Sequence, residues 1–219
     1  GFSNTKDFRV LWTHTQSRQG TGENFSASVN AGTTSYYQNT GNYMPLPNRY
    51  NNTLGSSVSY SKTWLGTPFN LTSSLNASQE LNSGALSLSA PALNFSVSRI
   101  TPFDSKNRIG PQRWYHKLNF TYNLLFDNRL QTYDSLLFKP GTSDQIKTTI
   151  QHQLPISTNF NVLKYINISP GLQLTENWYL KSISKSYNAQ TDSVETQTNN
   201  GFKSYREYGF NVAATTTLY

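Results

Sequence analysis

Three histidines, His14, His116 and His152, are the residues of this chain best suited to acid–base work or metal ligation near neutral pH, and their spacing supports neither. They lie far apart, and none sits in a ligand pattern such as HExxH. There is no cysteine, which removes thiolate metal sites, disulfides and a cysteine nucleophile together. No Walker loop, dinucleotide fingerprint or GxSxG elbow is present. The expectation is a protein that is not an enzyme and carries no cofactor and no metal. His152 shares parity with Ile150 and Leu154, which places it on an apolar strand face near an interface. A net charge of +7 with only 13% charged residues is compatible with an anionic partner, but is common on proteins without one, and no nucleic-acid partner is expected.

The remaining chemistry lies in charges placed along strands. Arg9, Lys117 and Lys147 fall at polar positions of alternating segments, where they would face water and could meet anionic groups. Lys62, Arg99 and Arg206 have the apolar parity, and are expected near strand ends, where long side chains reach an interface at little cost. Glu176 also has the apolar parity, a misfit unless a bulge follows Pro170. Several Asn-x-Ser/Thr triplets, such as Asn70-Leu71-Thr72 and Asn167-Ile168-Ser169, arise from alternation alone, so glycosylation need not be invoked.

The elements that position these residues are strands. Phe8, Val10 and Trp12 alternate with polar or smaller residues, as do Phe25, Ala27, Val29 and Ala31, then Val58 and Tyr60, then Phe69, Leu71, Leu75 and Ala77. A short turn, Leu65 to Pro68, joins the last two. From Ala85 to Ile100 the apolar parity switches at Pro91, which predicts a bulge or kink. Further strands are marked by Leu118 to Leu124, Ile150 to Ile156, Ile166 to Trp178, and Tyr208 to Ala214. About nine strands result, most of them able to supply the roughly 9–11 residues of a tilted membrane strand.

Composition agrees with this patterning. Only 35% of residues are hydrophobic although 14% are aromatic, whereas a soluble domain has about 45–50% apolar residues. Low hydrophobicity with many aromatics is not the profile of disorder. A transmembrane β-barrel fits, since only alternate residues of each strand meet lipid while the others face a wet lumen. No run approaches the roughly 18 apolar residues of a membrane-spanning helix, and the first residues do not read as a signal peptide.

Connections alternate in length. One set is Ser17 to Glu23, Leu65 to Pro68, Asp104 to Arg113 and Leu163 to Tyr165. The other is Ser35 to Asn52, Glu80 to Gly84, Asn128 to Gln145 and Ser182 to Lys203. Outer-membrane barrels have short periplasmic turns and longer outside loops, so the second set is expected outside. Trp64, Trp114, Tyr115, Tyr165, Trp178 and Tyr179 are expected near strand ends, as aromatic girdles at the two interfaces.

Several phrases resemble a known family: DFRVLWTHTQ from Asp7, SVSYSKTWLGTPFNLTSSLNASQ from Ser57, LSAPALNFSVSRITPF from Leu88, YDSLLF from Tyr133, and LPISTNFNVLKYINISPGLQLTENWY from Leu154. They are similar to the barrel domain of the LptD (OstA-like) lipopolysaccharide-assembly proteins, in the form found in Bacteroidota. The resemblance implies a Gram-negative outer-membrane location and lipopolysaccharide as partner. It also implies an LptE-type lipoprotein plug inside a large closed barrel, a periplasmic transport bridge, and lateral release of lipid into the outer leaflet. The chain is short for that pattern. Residues 1–219 are therefore expected to form a single β-barrel segment, a fragment of a larger barrel, whose closing Leu218-Tyr219 ends inside a strand. The alternatives are another outer-membrane barrel, such as a nutrient receptor or porin, and a secreted all-β binding or adhesion domain with strands buried between two sheets.

Overall fold

The computed structural model describes residues 8–33, 36, 53–105, 107, 109–163 and 165–216. Among the described residues the chain is all-β, built from strands with short 3-10 turns. The strands are β1 (Arg9–Arg18), β2 (Glu23–Gly32), β3 (Thr53–Thr63), β4 (Phe69–Glu80), β5 (Ala85–Ile100), β6 (Asn119–Tyr133), β7 (Lys147–Ser157), β8 (Phe160–Val162), β9 (Ile166–Asn188) and β10 (Ser193–Thr216). They form an antiparallel sheet in the order β1-β2-β3-β4-β5-β6-β7-β9-β10, with β8 paired to β9 beside that path. Each segment expected from alternation is a strand, and β8 is an additional short one. The Ser35–Asn52 connection and the final Leu218-Tyr219 lie outside the described residues, apart from Tyr36.

Contacts group the chain into two units: Gly1–Thr63, Thr72–Leu93 and Phe126–Thr148 form one; Trp64–Leu71, Asn94–Leu125 and Thr149–Tyr219 form the other. In the first unit, register sorts β1, β2 and β3 into two faces. Val10 pairs with Ala31, Trp12 with Val29 and His14 with Ala27, while Phe25 pairs with Tyr60 and Ala27 with Val58. The other face carries Thr13 against Ser28, Ser26 against Ser59 and Ser28 against Ser57. The apolar face ends at a charged edge, where Lys62 Nζ lies 2.7 Å from a Glu23 carboxylate oxygen and Arg18 is 4.0 Å from the other. Lys62 is thus near its strand end, as expected, and is ion-paired there.

Two turns of this unit depend on glycine. Gly22 closes the β1–β2 turn at φ +67, and a Cβ there would lie 2.2 Å from the Thr63 carbonyl oxygen, which accepts no such crowding. Gly84, at φ +69, donates its N–H to Glu80 and accepts from the Asp134 N–H, tying the β4–β5 turn to the end of β6.

Among the described residues little is deeply buried: Ala27, Leu54, Leu81, Val97 and Leu130 are buried, but no large side chain is fully so, and Tyr60, Phe69 and Leu75 on interior strands of the order are 38%, 40% and 45% exposed. A two-layer sandwich would bury the inward face of each sheet. Here apolar side chains on these strands are left accessible instead.

Three expectations are corrected. The predicted loop Ser182 to Lys203 is instead a two-stranded ribbon: β9 runs on to Asn188 and β10 starts at Ser193, paired from Ser193–Asn188 down to Thr216–Ile166 with one irregularity between Asn200 and Lys203. The Asn128 connection starts later, because β6 continues to Tyr133 before the 3-10 turns at Asp134–Leu136 and Thr142–Gln145. At Pro91, where the apolar parity switches, β5 is a single strand that carries a cis Ala90–Pro91 peptide bond. Finally, no bulge follows Pro170: β9 keeps its register with β10 from Thr216–Ile166 through Arg206–Glu176, so Glu176 stays on the apolar face.

Candidate functional site

The second unit presents a wall with two chemically opposite faces. Across β7, β9 and β10, one face is built from Ile150–Trp178, Leu154–Leu174 and Ile156–Leu172, and from Leu174–Tyr208, Leu172–Phe210 and Pro170–Val212. The opposite face pairs Gln151 with Asn177, Gln153 with Thr175, Thr175 with Glu207 and Gly171 with Asn211. Gln151 donates to Asn177 Oδ1 at 2.9 Å, and Gln153 donates to Gln151 Oε1 at 3.0 Å. Amide ladders of this kind satisfy one another and offer further donors and acceptors to hydrated groups.

Register also explains three polar residues at apolar positions. His152 pairs with Glu176, and Glu176 pairs with Arg206, so all three lie in one row across β7, β9 and β10. Arg206 Nε donates to Glu176 Oε1 at 3.0 Å. On the other side, the Tyr122 hydroxyl of β6 is 2.7 Å from His152 Nδ1. The Trp178 ring lies 4.3 Å from the His152 ring and 5.7 Å from that of Phe202. Below this row the apolar face is continuous from Ile166 to Leu174, close to the roughly 9–11 residues of a tilted membrane strand. Beyond it, β9 and β10 continue as the exposed ribbon, where Tyr187 donates a hydrogen bond to Asp192 Oδ1 at 2.7 Å. That bond, with a smaller effect of burial, raises the Tyr187 pKa above its ordinary value.

Arg206 was expected near a strand end; it lies inside β10 and is charge-paired instead. The sequence already singled out His152, Glu176 and Arg206 as polar residues with apolar parity. Their opposite charges were a sign of pairing, but Tyr122, an ordinary aromatic of that parity, carried none.

The proposed cations are not gathered into one site. Arg9 opens β1 opposite Gly32, and Lys147 opens β7, with β2 to β6 between those strands in the sheet order. Lys117 does not lie within a strand, because a 3-10 turn at Trp114–Lys117 precedes β6. Its parity argument therefore lapses. The same turn carries Trp114 and Tyr115, which were expected on the strand itself; Thr158 Oγ1 donates to the Trp114 carbonyl at 2.8 Å and holds the turn to the end of β7. Trp64 sits at the β3–β4 turn, its N–H on the Phe69 carbonyl at 3.1 Å, and Tyr165 is exposed in the β8–β9 turn. Trp178 and Tyr179 lie within β9 rather than near its end, at the upper limit of the apolar run.

Among the described residues no group of His, Asp and Glu could hold a metal ion. No helix of the described residues is long and apolar enough to cross a membrane, which says nothing about a β-barrel. No curated protein and no solved structure matches the chain. A family model described as LptD protein matches residues 1–219.

Proposed function

The chain belongs to the LptD protein family, whose role is lipopolysaccharide transport and assembly at the Gram-negative outer membrane and which is not an enzyme family, and from that premise we propose that it forms part of a translocon barrel wall. The observation that carries this reading is the two-faced sheet. Apolar side chains such as Leu172, Leu174 and Phe210 would meet acyl chains, while the Gln151, Gln153 and Asn177 amides would line a wet lumen.

The head group of lipopolysaccharide is phosphorylated sugar. A lumen of amides and a few cations would exchange hydrogen bonds with it as it moves, without holding it tightly. Acyl chains would leave sideways through a weakly paired seam into the outer leaflet. The strands described here would be a portion of a larger closed barrel, with an LptE-type lipoprotein inside and a periplasmic bridge delivering the lipid. Trp64, Trp114, Tyr115 and Tyr165, all on turns or beside them, would mark one interface, and Trp178 with Tyr179 the other. The β9–β10 ribbon would then project outside the cell, in place of a long loop.

Of the three cations, Arg9 and Lys147, which open β1 and β7, would supply the lumenal charge. Replacing both with Ala in the full-length protein is expected to impair lipopolysaccharide delivery and raise outer-membrane permeability. Normal delivery with an intact permeability barrier removes the lumenal-charge role.

A further inference from the structure

Asn200 and Gly201 form the one Asn-Gly pair of the sequence, and they fall at the irregularity of the β9–β10 ribbon. The register steps from Asn200–Lys181 to Lys203–Tyr179, so Gly201 and Phe202 occupy the span that Leu180 alone fills on β9. One residue too many on one strand is a β-bulge. Gly201 sits there at φ +145, which favours glycine, and nothing lies within 4 Å of the place its Cβ would take. Asn200 is exposed, and among the described residues its amide makes no side-chain hydrogen bond. Other ribbon asparagines are held: Asn199 Nδ2 donates to Ser184 Oγ at 3.0 Å, and Asn188 Nδ2 to Glu195 Oε1 at 2.6 Å. Since β10 ends the sheet order, its outer edge has no partner strand among the described residues.

We propose that Asn200 is a site of spontaneous covalent modification, deamidating through a cyclic imide closed by the backbone nitrogen of Gly201. Hydroxide takes the proton of the Gly201 N–H, and that nitrogen bonds to Asn200 Cγ. The Cγ–Nδ2 bond breaks, and ammonia leaves with a proton from water. Water then opens the imide at either of its carbonyls. One opening leaves aspartate; the other leaves isoaspartate, whose main chain runs through Cβ. The net reaction turns an amide and water into a carboxyl group and ammonia. Three features select Asn200 over its neighbours. The nitrogen must approach Cγ, which a Cβ on the next residue obstructs and Gly201 does not. The amide must turn, and that of Asn200 has no hydrogen bond to break first. The backbone must leave the regular ladder, and a bulge already interrupts it. Lys181, directly across, shares a face with Asn200 and offsets the charge of the new carboxylate. The inference does not depend on which face of the wall meets lipid.

The test incubates the full-length protein in dodecylmaltoside micelles at mildly alkaline pH, beside a synthetic peptide of residues 196–204. Peptide mapping by mass spectrometry, with isoaspartate detection, follows the ribbon asparagines in time. Conversion at Asn200 is expected to run at least about tenfold faster than at Asn188 or Asn199, a barrier lower by about 1.4 kcal/mol. It should also stay within about tenfold of the rate in the peptide, a barrier difference of no more than about 1.4 kcal/mol, and give both aspartate and isoaspartate. A smaller advantage over Asn188 and Asn199 overturns the proposal, as does a folded chain slowed beyond that limit, because the strand then keeps the Gly201 nitrogen away from Cγ. Aspartate without isoaspartate is direct hydrolysis and overturns the cyclic route. Asn200→Gln keeps an amide but demands a larger ring, and should abolish conversion at this position. Acid formed there at the unsubstituted rate overturns ring closure as well, and if this variant does not fold, the rates in the unsubstituted protein decide.

Discussion

Glu176 and Arg206, separated by 30 positions in the chain, meet across β9 and β10 with 3.0 Å between Oε1 and Nε, on the face that otherwise carries Leu172, Leu174, Tyr208 and Phe210. Both side chains keep solvent exposure, Arg206 the more, so the pair does not stand as a buried ion pair. Its position at the limit of the apolar run is what makes it tolerable on such a face. An unpaired Arg costs about 2–4 kcal/mol at the middle of a bilayer but only about 0–1 kcal/mol near the interface.

A double-mutant cycle with Glu176→Gln and Arg206→Ala in the full-length protein should therefore give a coupling energy of about 0.2–1 kcal/mol by denaturant unfolding. A coupling well above 2 kcal/mol would place the pair deep in the hydrocarbon and contradict the interfacial assignment.

The two faces make a sharper prediction, because adjacent residues of one strand should respond oppositely. Leu172→Arg, on the apolar face, is expected to cost about 2–4 kcal/mol. Gln173→Arg, one position on and on the amide face, should stay within about 0.5 kcal/mol. Guanidinium unfolding in phospholipid vesicles measures both, and equal effects would sink the assignment of faces.

The β1–β2 turn offers a test of backbone geometry that does not involve lipid at all. Gly22→Ala places a Cβ against the Thr63 carbonyl in a left-handed conformation, and should cost about 1–3 kcal/mol. Gly20→Ala, two positions earlier and with open space at its Cβ, should be close to neutral, within about 0.5 kcal/mol. Comparing the Tm of the two variants checks this; a Gly22→Ala variant as stable as Gly20→Ala refutes the close approach.

Strand existence was legible in the sequence because it rests on a local property. Side chains alternate across an extended backbone, so the parity of Phe8, Val10 and Trp12, or of Ile166, Ile168 and Leu174, reveals a strand and its apolar face without any knowledge of its neighbours. The same local rule failed at Lys117, where a 3-10 turn ends the alternation, and at Ser182, where polar residues on both faces of the ribbon left no period to read. Family membership was legible for a different reason, in the strand-and-turn phrases quoted above. The partners of the polar row were decided only by the tertiary structure. Glu176 read alone is a charge on the wrong face, and becomes acceptable when β10 brings Arg206 beside it and β7 brings His152 to the other side. Cross-strand register depends on how segments distant in sequence pair, and a shift by one residue would turn every side chain of a strand to the opposite face. Alternation therefore determined which residues share a face, and pairing alone determined which of them touch.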